Sequence, residues 1–219
     1  RATPWKSGKV ISICLRNGVY ILAQMVREPY LVFFNHFNEE NNWKGVTLKE
    51  EDILFCKAVT RQFLRYSPVA IIKEVTPLLD YELPKEWIYS HIGGHNITIS
   101  VKGQERQVAG FGRRCSLVLA DKDSGQPEDN PLMGLFQAYI IPDIKEQDWD
   151  RVGQAELMSI EVFPTLNERL YLCFLYGKNI NPEQDISLGK PLLDAYETYI
   201  DILTNSPEAR HLYLGEHEE

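Results

Sequence analysis

The chain has 219 residues, 44% hydrophobic and 11% aromatic, enough for one large or two small domains with a sizeable core. It carries 31 acidic and 23 basic side chains, a net charge of −8. This balance argues against a nucleic-acid binder and against docking on anionic lipid, and it suits a partner with a basic surface.

The chain opens with a compact β unit, Gly8 to Asn35. Lys9 to Leu15 predicts a strand. Asn17-Gly18 is the dipeptide suited to a two-residue hairpin turn, because both residues tolerate positive φ. Val19 to Val26 runs back, and Tyr30 to Phe34 makes a third strand. His36 to Lys44 is polar, with Glu39, Glu40, the three asparagines Asn38, Asn41 and Asn42, and Trp43; it reads as a solvated loop. After the charged run Lys49-Glu50-Glu51-Asp52, Ile53 to Val59 predicts a strand, Thr60 to Tyr66 a helical turn, and Val69 to Val75 a further strand. Trp87 to Ile92 is expected to continue the same sheet.

Gly93-Gly94 breaks the pattern. Asn96 to Val101 alternates apolar and polar residues, and Gln104 to Ala109 returns as its hairpin partner. Cys115 to Ala120 is a strand. Residues 121–130 are charged and rich in Gly, Ser and Pro, which marks a boundary between a β-rich domain at 1–120 and an extension or small second domain at 131–219. Leu132 to Ile141 is ambiguous between helix and strand. Asp148 to Arg151 reads as a polar link. Leu157 to Phe163 and Arg169 to Tyr176 read as a hairpin. Gly189 and Pro191 are taken to open a C-terminal helix, Pro191 to Leu203. The expected class is α+β: a twisted, mainly antiparallel sheet with few helices.

No run approaches the roughly 20 apolar residues that span a bilayer. The chain starts at Arg1 without a methionine, so an upstream segment is expected; no signal peptide is read in the residues given. Cys14, Cys56, Cys115 and Cys173 are dispersed, each inside an apolar run, and read as buried free thiols in a reducing compartment. Cys115 follows Arg113-Arg114, which would lower a thiol pKa if the group were exposed. His91 and His95 stand four apart and are the only metal candidates, but the two glycines between them argue against the helix that such a pair needs. No G-x-S-x-G elbow, complete G-x-G-x-x-G or H-E-x-x-H is present. The acidic clusters Glu39-Glu40 and Glu50-Glu51-Asp52 remain. With Trp43 as an aromatic anchor they form a candidate surface for a basic protein partner.

The opening pattern resembles the bacterial immunity protein 26 family. The resemblance is carried by Gly8, Lys9, Val10, Ile13, Leu15, Gly18, Tyr20, Ala23, Val26, Arg27, Glu28 and Phe33-Phe34, and it fades by about Tyr89. It implies a cytoplasmic immunity protein, or antitoxin, that binds and neutralises a cognate polymorphic toxin in bacterial competition, without a cofactor. The label phosphotriesterase, which some members carry, implies a hydrolase as the alternative, and a non-catalytic subunit of a larger assembly is a third reading.

Overall fold

The computed structural model describes residues 3–92, 96–120, 136–206 and 212–213. The expected boundary at 121–130 and His95 lie outside the described residues. The fold is mixed α+β, with mostly antiparallel sheets. Its contacts divide it into two units, each assembled from separate segments. Unit 1 comprises Arg1–Glu82, Ile160–Ile180 and Thr198–Glu219; unit 2 comprises Leu83–Ser159 and Asn181–Glu197. The first division therefore falls at residues 82–83, ahead of the loop expected to mark it.

Unit 1 is built on β1 (Val10–Cys14), β2 (Tyr20–Met25), β3 (Tyr30–Asn38), β4 (Ile53–Val59) and β5 (Val69–Ile72). A short β12 (Ile160–Glu161) completes a sheet of order β12-β4-β3-β2-β1-β5, antiparallel except where β12 runs parallel to β4. Asn17 and Gly18 turn the first hairpin with φ of 59° and 71°. The ladder ends at Cys14↔Tyr20 and the Leu15 N–H donates to the Val19 carbonyl at 2.7 Å, which leaves Arg16 in the turn. β3 runs four residues beyond its expected end at Phe34.

The central strands are buried on both faces, which is why they read as unbroken apolar runs. On one face, Phe33 packs against Phe55 at 4.9 Å and Phe63 at 6.5 Å between ring centres. Phe63 belongs to α1 (Arg61–Tyr66), capped by the Thr60 hydroxyl, which accepts from the Phe63 N–H. The same face carries α3 (Thr165–Tyr176), whose Phe174 meets Phe37 at 5.4 Å. On the other face, Gln24 exchanges two 2.8 Å hydrogen bonds with the backbone of Leu78.

The helix α3 corrects the expected hairpin. Arg169 to Tyr176 reads as a strand because it is apolar after Arg169, a pattern shared by a helix buried nearly all round. Thr165 to Cys173 are all buried, and the run is rich in Leu rather than in β-branched residues. Two full charges lie inside this helix. Glu168 is 0% exposed and accepts from Arg16 at 2.9 and 3.1 Å and from the Tyr213 hydroxyl at 2.5 Å. Burial, followed by the Glu168 charge, pushes the Tyr213 pKa up. Arg169, also 0% exposed, donates to the Ile180 carbonyl and Asn179, pairs with Glu161 at 3.4 Å and lies 3.6 Å over the Phe55 ring.

Unit 2 holds β6 (Glu86–Ser90), which belongs to a second sheet and does not continue the first. That sheet has the order β10-β9-β6-β11, with β9 (Cys115–Ala120), β10 (Phe136–Ile141) and β11 (Glu156–Leu157). The ambiguous stretch near Ile141 is thus a strand. β7 (Ile97–Val101) and β8 (Gln104–Val108) form a separate hairpin, as their alternation predicts. The expected polar link is a one-turn helix, α2 (Trp149–Val152). Ile88, Cys115, Leu117, Ile144, Val152 and Leu157 make the core. A helix absent from the sequence reading, α4 (Pro182–Leu188), is capped by Asn181 and closed by Gly189 at φ 68°. Gly189 therefore ends a helix instead of opening one, and the last helix, α5 (Glu197–Leu203), starts six residues later than expected. Asn181 also donates to the buried Glu156 at 2.9 Å.

Replacing Arg169 by Met leaves buried Glu161 without this counter-charge and is expected to cost about 3–5 kcal/mol in chemical denaturation. Adding Glu161→Gln to R169M should recover part of that loss if the two charges are coupled.

Candidate functional site

The acidic clusters of the sequence lie on one connection, residues 39–52 between β3 and β4 of unit 1. Asparagine side chains build its first half. Asn38 accepts from the backbone N–H groups of Glu40 at 2.6 Å and Asn42 at 3.3 Å, and donates to the Asn42 carbonyl at 3.0 Å. Asn42 in turn accepts from the Lys44 N–H at 3.3 Å. These are Asx turns, in which a short side chain replaces backbone partners, and they explain why the loop is rich in asparagine. Asn41 takes the left-handed conformation, φ 53°.

Trp43 is 2% exposed, which corrects its expected role as a surface anchor for a partner. Its indole Nε1–H reaches the Asn41 side-chain oxygen at 2.8 Å and the Ser12 hydroxyl of β1 at 3.2 Å, and that hydroxyl bonds Asn41 at 2.6 Å. The ring is the loop's plug into the sheet face that Gln24 shares. Burial of a residue this large supplies about 2–3 kcal/mol or more, and its one polar atom is satisfied.

With Trp43 buried, Glu39, Glu40, Glu50 and Glu51 stay exposed. Glu50–Asp52 form a single 3-10 turn that leads into β4. Asp52 is half-buried beside His36, with 3.1 Å between the carboxylate and Nε2. Lys49 is 3.4 Å from Glu51, both largely exposed, a pair worth little in water. The connection thus presents four exposed carboxylates, one of them beside Lys49, on a base fixed by hydrogen bonds.

His91 lies elsewhere, at the end of β6 in unit 2. Its Nε2 is 2.8 Å from the Ser116 hydroxyl, which donates to the Pro142 carbonyl at 2.6 Å. One hydroxyl hydrogen cannot serve both bonds, so the imidazole is the donor to Ser116. Ser116 is 0% exposed, and this arrangement does not make it a nucleophile. The ring stacks on Tyr139 at 6.5 Å and meets the edge of Tyr89 at 4.8 Å. Burial, then the Arg114 charge, lowers its pKa, while Asp143 opposes them. Gly112 is required here: a Cβ would stand 2.2 Å from the His91 carbonyl oxygen. Among the described residues no group of three or more His, Cys, Asp or Glu could hold a metal.

The four cysteines are free; Cys56, Cys115 and Cys173 are buried. Burial pushes the Cys115 thiol up to about 11, opposite to the effect that Arg113-Arg114 would have on an exposed group. Sequence reasoning missed Ser12 and Asn41 as partners of Trp43, because a tryptophan in a polar run carries no sign of its direction.

Trp43→Ala should lower stability by about 3–5 kcal/mol, whereas Trp43→Phe, which keeps most of the packing, should cost about 1–2 kcal/mol; urea unfolding measures both. Cys115 makes stability depend on pH. Its neutral form is favoured by folding, so its contribution is complete below the unfolded value of 9.0 and is lost as pH rises toward about 11. The wild-type protein should therefore lose stability relative to Cys115→Ala across that window.

A family model described as a domain of unknown function, DUF8309, matches residues 1–108, ending at the last residue of β8. No curated protein and no solved structure matches the chain. Among the described residues no helix is long and apolar enough to cross a membrane.

Proposed function

We propose that this protein is an immunity protein that binds and neutralises a cognate toxin in the cytoplasm of the cell that makes both. The observation that carries the reading is the β3–β4 connection, where buried Trp43 fixes the loop and Glu39, Glu40, Glu50 and Glu51 are left to the solvent. Such a surface complements a basic protein. Exposed carboxylates speed the encounter with a partner of opposite field, and a loop already ordered loses little entropy on docking. Enzymes that act on nucleic acid carry basic clefts, and occlusion of one by these carboxylates needs neither cofactor nor turnover. The net charge of −8 adds a long-range attraction of the same sign. The resemblance of the first strands to the bacterial immunity protein 26 family supports the same class of partner.

The test is a pull-down and a kinetic binding assay with the product of the adjacent upstream gene, at low and high salt. A one-to-one complex is expected, with association slowed about tenfold or more by added salt or by Glu→Lys substitution at residues 39, 40, 50 and 51 together. No complex, or a complex whose rates the fourfold reversal leaves unchanged, overturns the proposal.

A further inference from the structure

Unit 1 contains a cleft of about 350 Å³ that is cationic in a protein of net charge −8. One wall is a tight turn, Lys6 to Lys9. The Lys9 N–H donates to the Lys6 carbonyl at 3.1 Å, and Gly8 sits at φ 77°, the left-handed position that a type II turn reserves for glycine. Two 2.8 Å bonds pin the turn to β2: Gly8 N–H to the Met25 carbonyl, and Met25 N–H to the Lys9 carbonyl. The opposite wall is β5 and the bend after it, with Ile71, Lys73 and Val75. Val10 lines the cleft between them, held beside β5 by its pairing with Ile72.

The lining has three ammonium groups and no carboxylate. Lys9 Nζ is steadied by the Pro4 carbonyl at 3.0 Å. Lys6 and Lys73 are exposed and form no ion pair among the described residues. Between the lysines Ile71 is 46% exposed, while Val10 and Val75 are buried beneath the cleft. An inorganic anion alone would leave that side chain wet. The volume lies at the small end of ligand pockets, roughly 300–1,000 Å³.

We infer that this cleft binds a small amphiphilic anion, its phosphate or carboxylate head between Lys6, Lys9 and Lys73 and its short apolar body on Ile71. The ligand needs no contact with the carboxylates of the acidic loop. It carries the opposite charge to the partner proposed there, and either reading stands if the other fails.

The test is an amide-resolved NMR titration of the full chain with hexyl phosphate, with inorganic phosphate and hexanol as the charge-only and apolar-only probes. Hexyl phosphate is expected to shift Gly8, Lys9 and Ile71 to Lys73 saturably. Lys6→Gln and Lys73→Gln should each weaken it about threefold to fivefold, and the double variant about tenfold or more. Both lysines are exposed, so folding is preserved, and unshifted amides in unit 2 check this. No saturable shift, binding unchanged in the double variant, or inorganic phosphate binding as tightly as hexyl phosphate overturns the inference. Phosphatidylglycerol vesicles separate the sources of the head group: co-sedimentation that the double variant loses supports a lipid head group, and hexyl phosphate binding without co-sedimentation supports a free ligand.

Discussion

Two consecutive residues of α3, Glu168 and Arg169, carry ionisable groups into the fully buried interior, and much of unit 1 is arranged to satisfy them. They are neighbours on the helix, about 100° apart around its axis. Glu168 meets Arg16 and Tyr213, while Arg169 meets Glu161, Asn179, the Ile180 carbonyl and the Phe55 ring. A helix held only by leucines can slide or rotate at small cost. One with two opposite charges, each matched to a different partner, has a single low-energy rotation, because any other leaves an ion buried and unpaired. The first hairpin, β12 and the Tyr213 segment are thereby referred to one helix.

The same economy of polar groups shapes the acidic connection. Its order comes from below, through Trp43 and the chain of Ser12 and Asn41, so its carboxylates need no mutual contacts to be held in place. The lysine cleft lies at the β1–β5 end of the same sheet, whereas the acidic connection springs from β3 and β4. The connection nevertheless reaches back to the cleft's end of the sheet: the Leu48 N–H donates to the Thr76 carbonyl at 3.0 Å and the Thr76 N–H to the Val46 carbonyl at 3.2 Å, between the lining residues Val75 and Pro77.

The strands of the first 75 residues were legible because turn chemistry and β-branched runs agreed with each other: Asn17-Gly18 turns where its φ preference requires, and Val69 to Ile72 is a strand. The second half was less legible for a physical reason. The segment from Thr165 to Tyr176 is buried on nearly every side, so it has no polar stripe to reveal its period. Its two internal charges were the available sign, since ions in a continuous apolar run need partners elsewhere in the chain. For the candidate site, the exposed glutamates were legible from composition, but the direction of Trp43 was not, because it depends on a hydroxyl 31 residues away on β1.

The interleaving of the two units has a consequence for the chain as it is made. Arg16 and Glu168 are 152 residues apart. At roughly 5–20 residues per second, synthesis leaves an interval of about 8–30 s between them. During that interval β1 to β5 are complete, yet the face that carries Phe33, Phe37 and Phe55 has no α3 to cover it. The 1–108 segment matched by the family model is complete before any of α3 is made. The ribosome therefore presents an aromatic sheet face long before its helix emerges, and the survival of that face, by transient collapse or by a chaperone, becomes part of how this sequence reaches its fold.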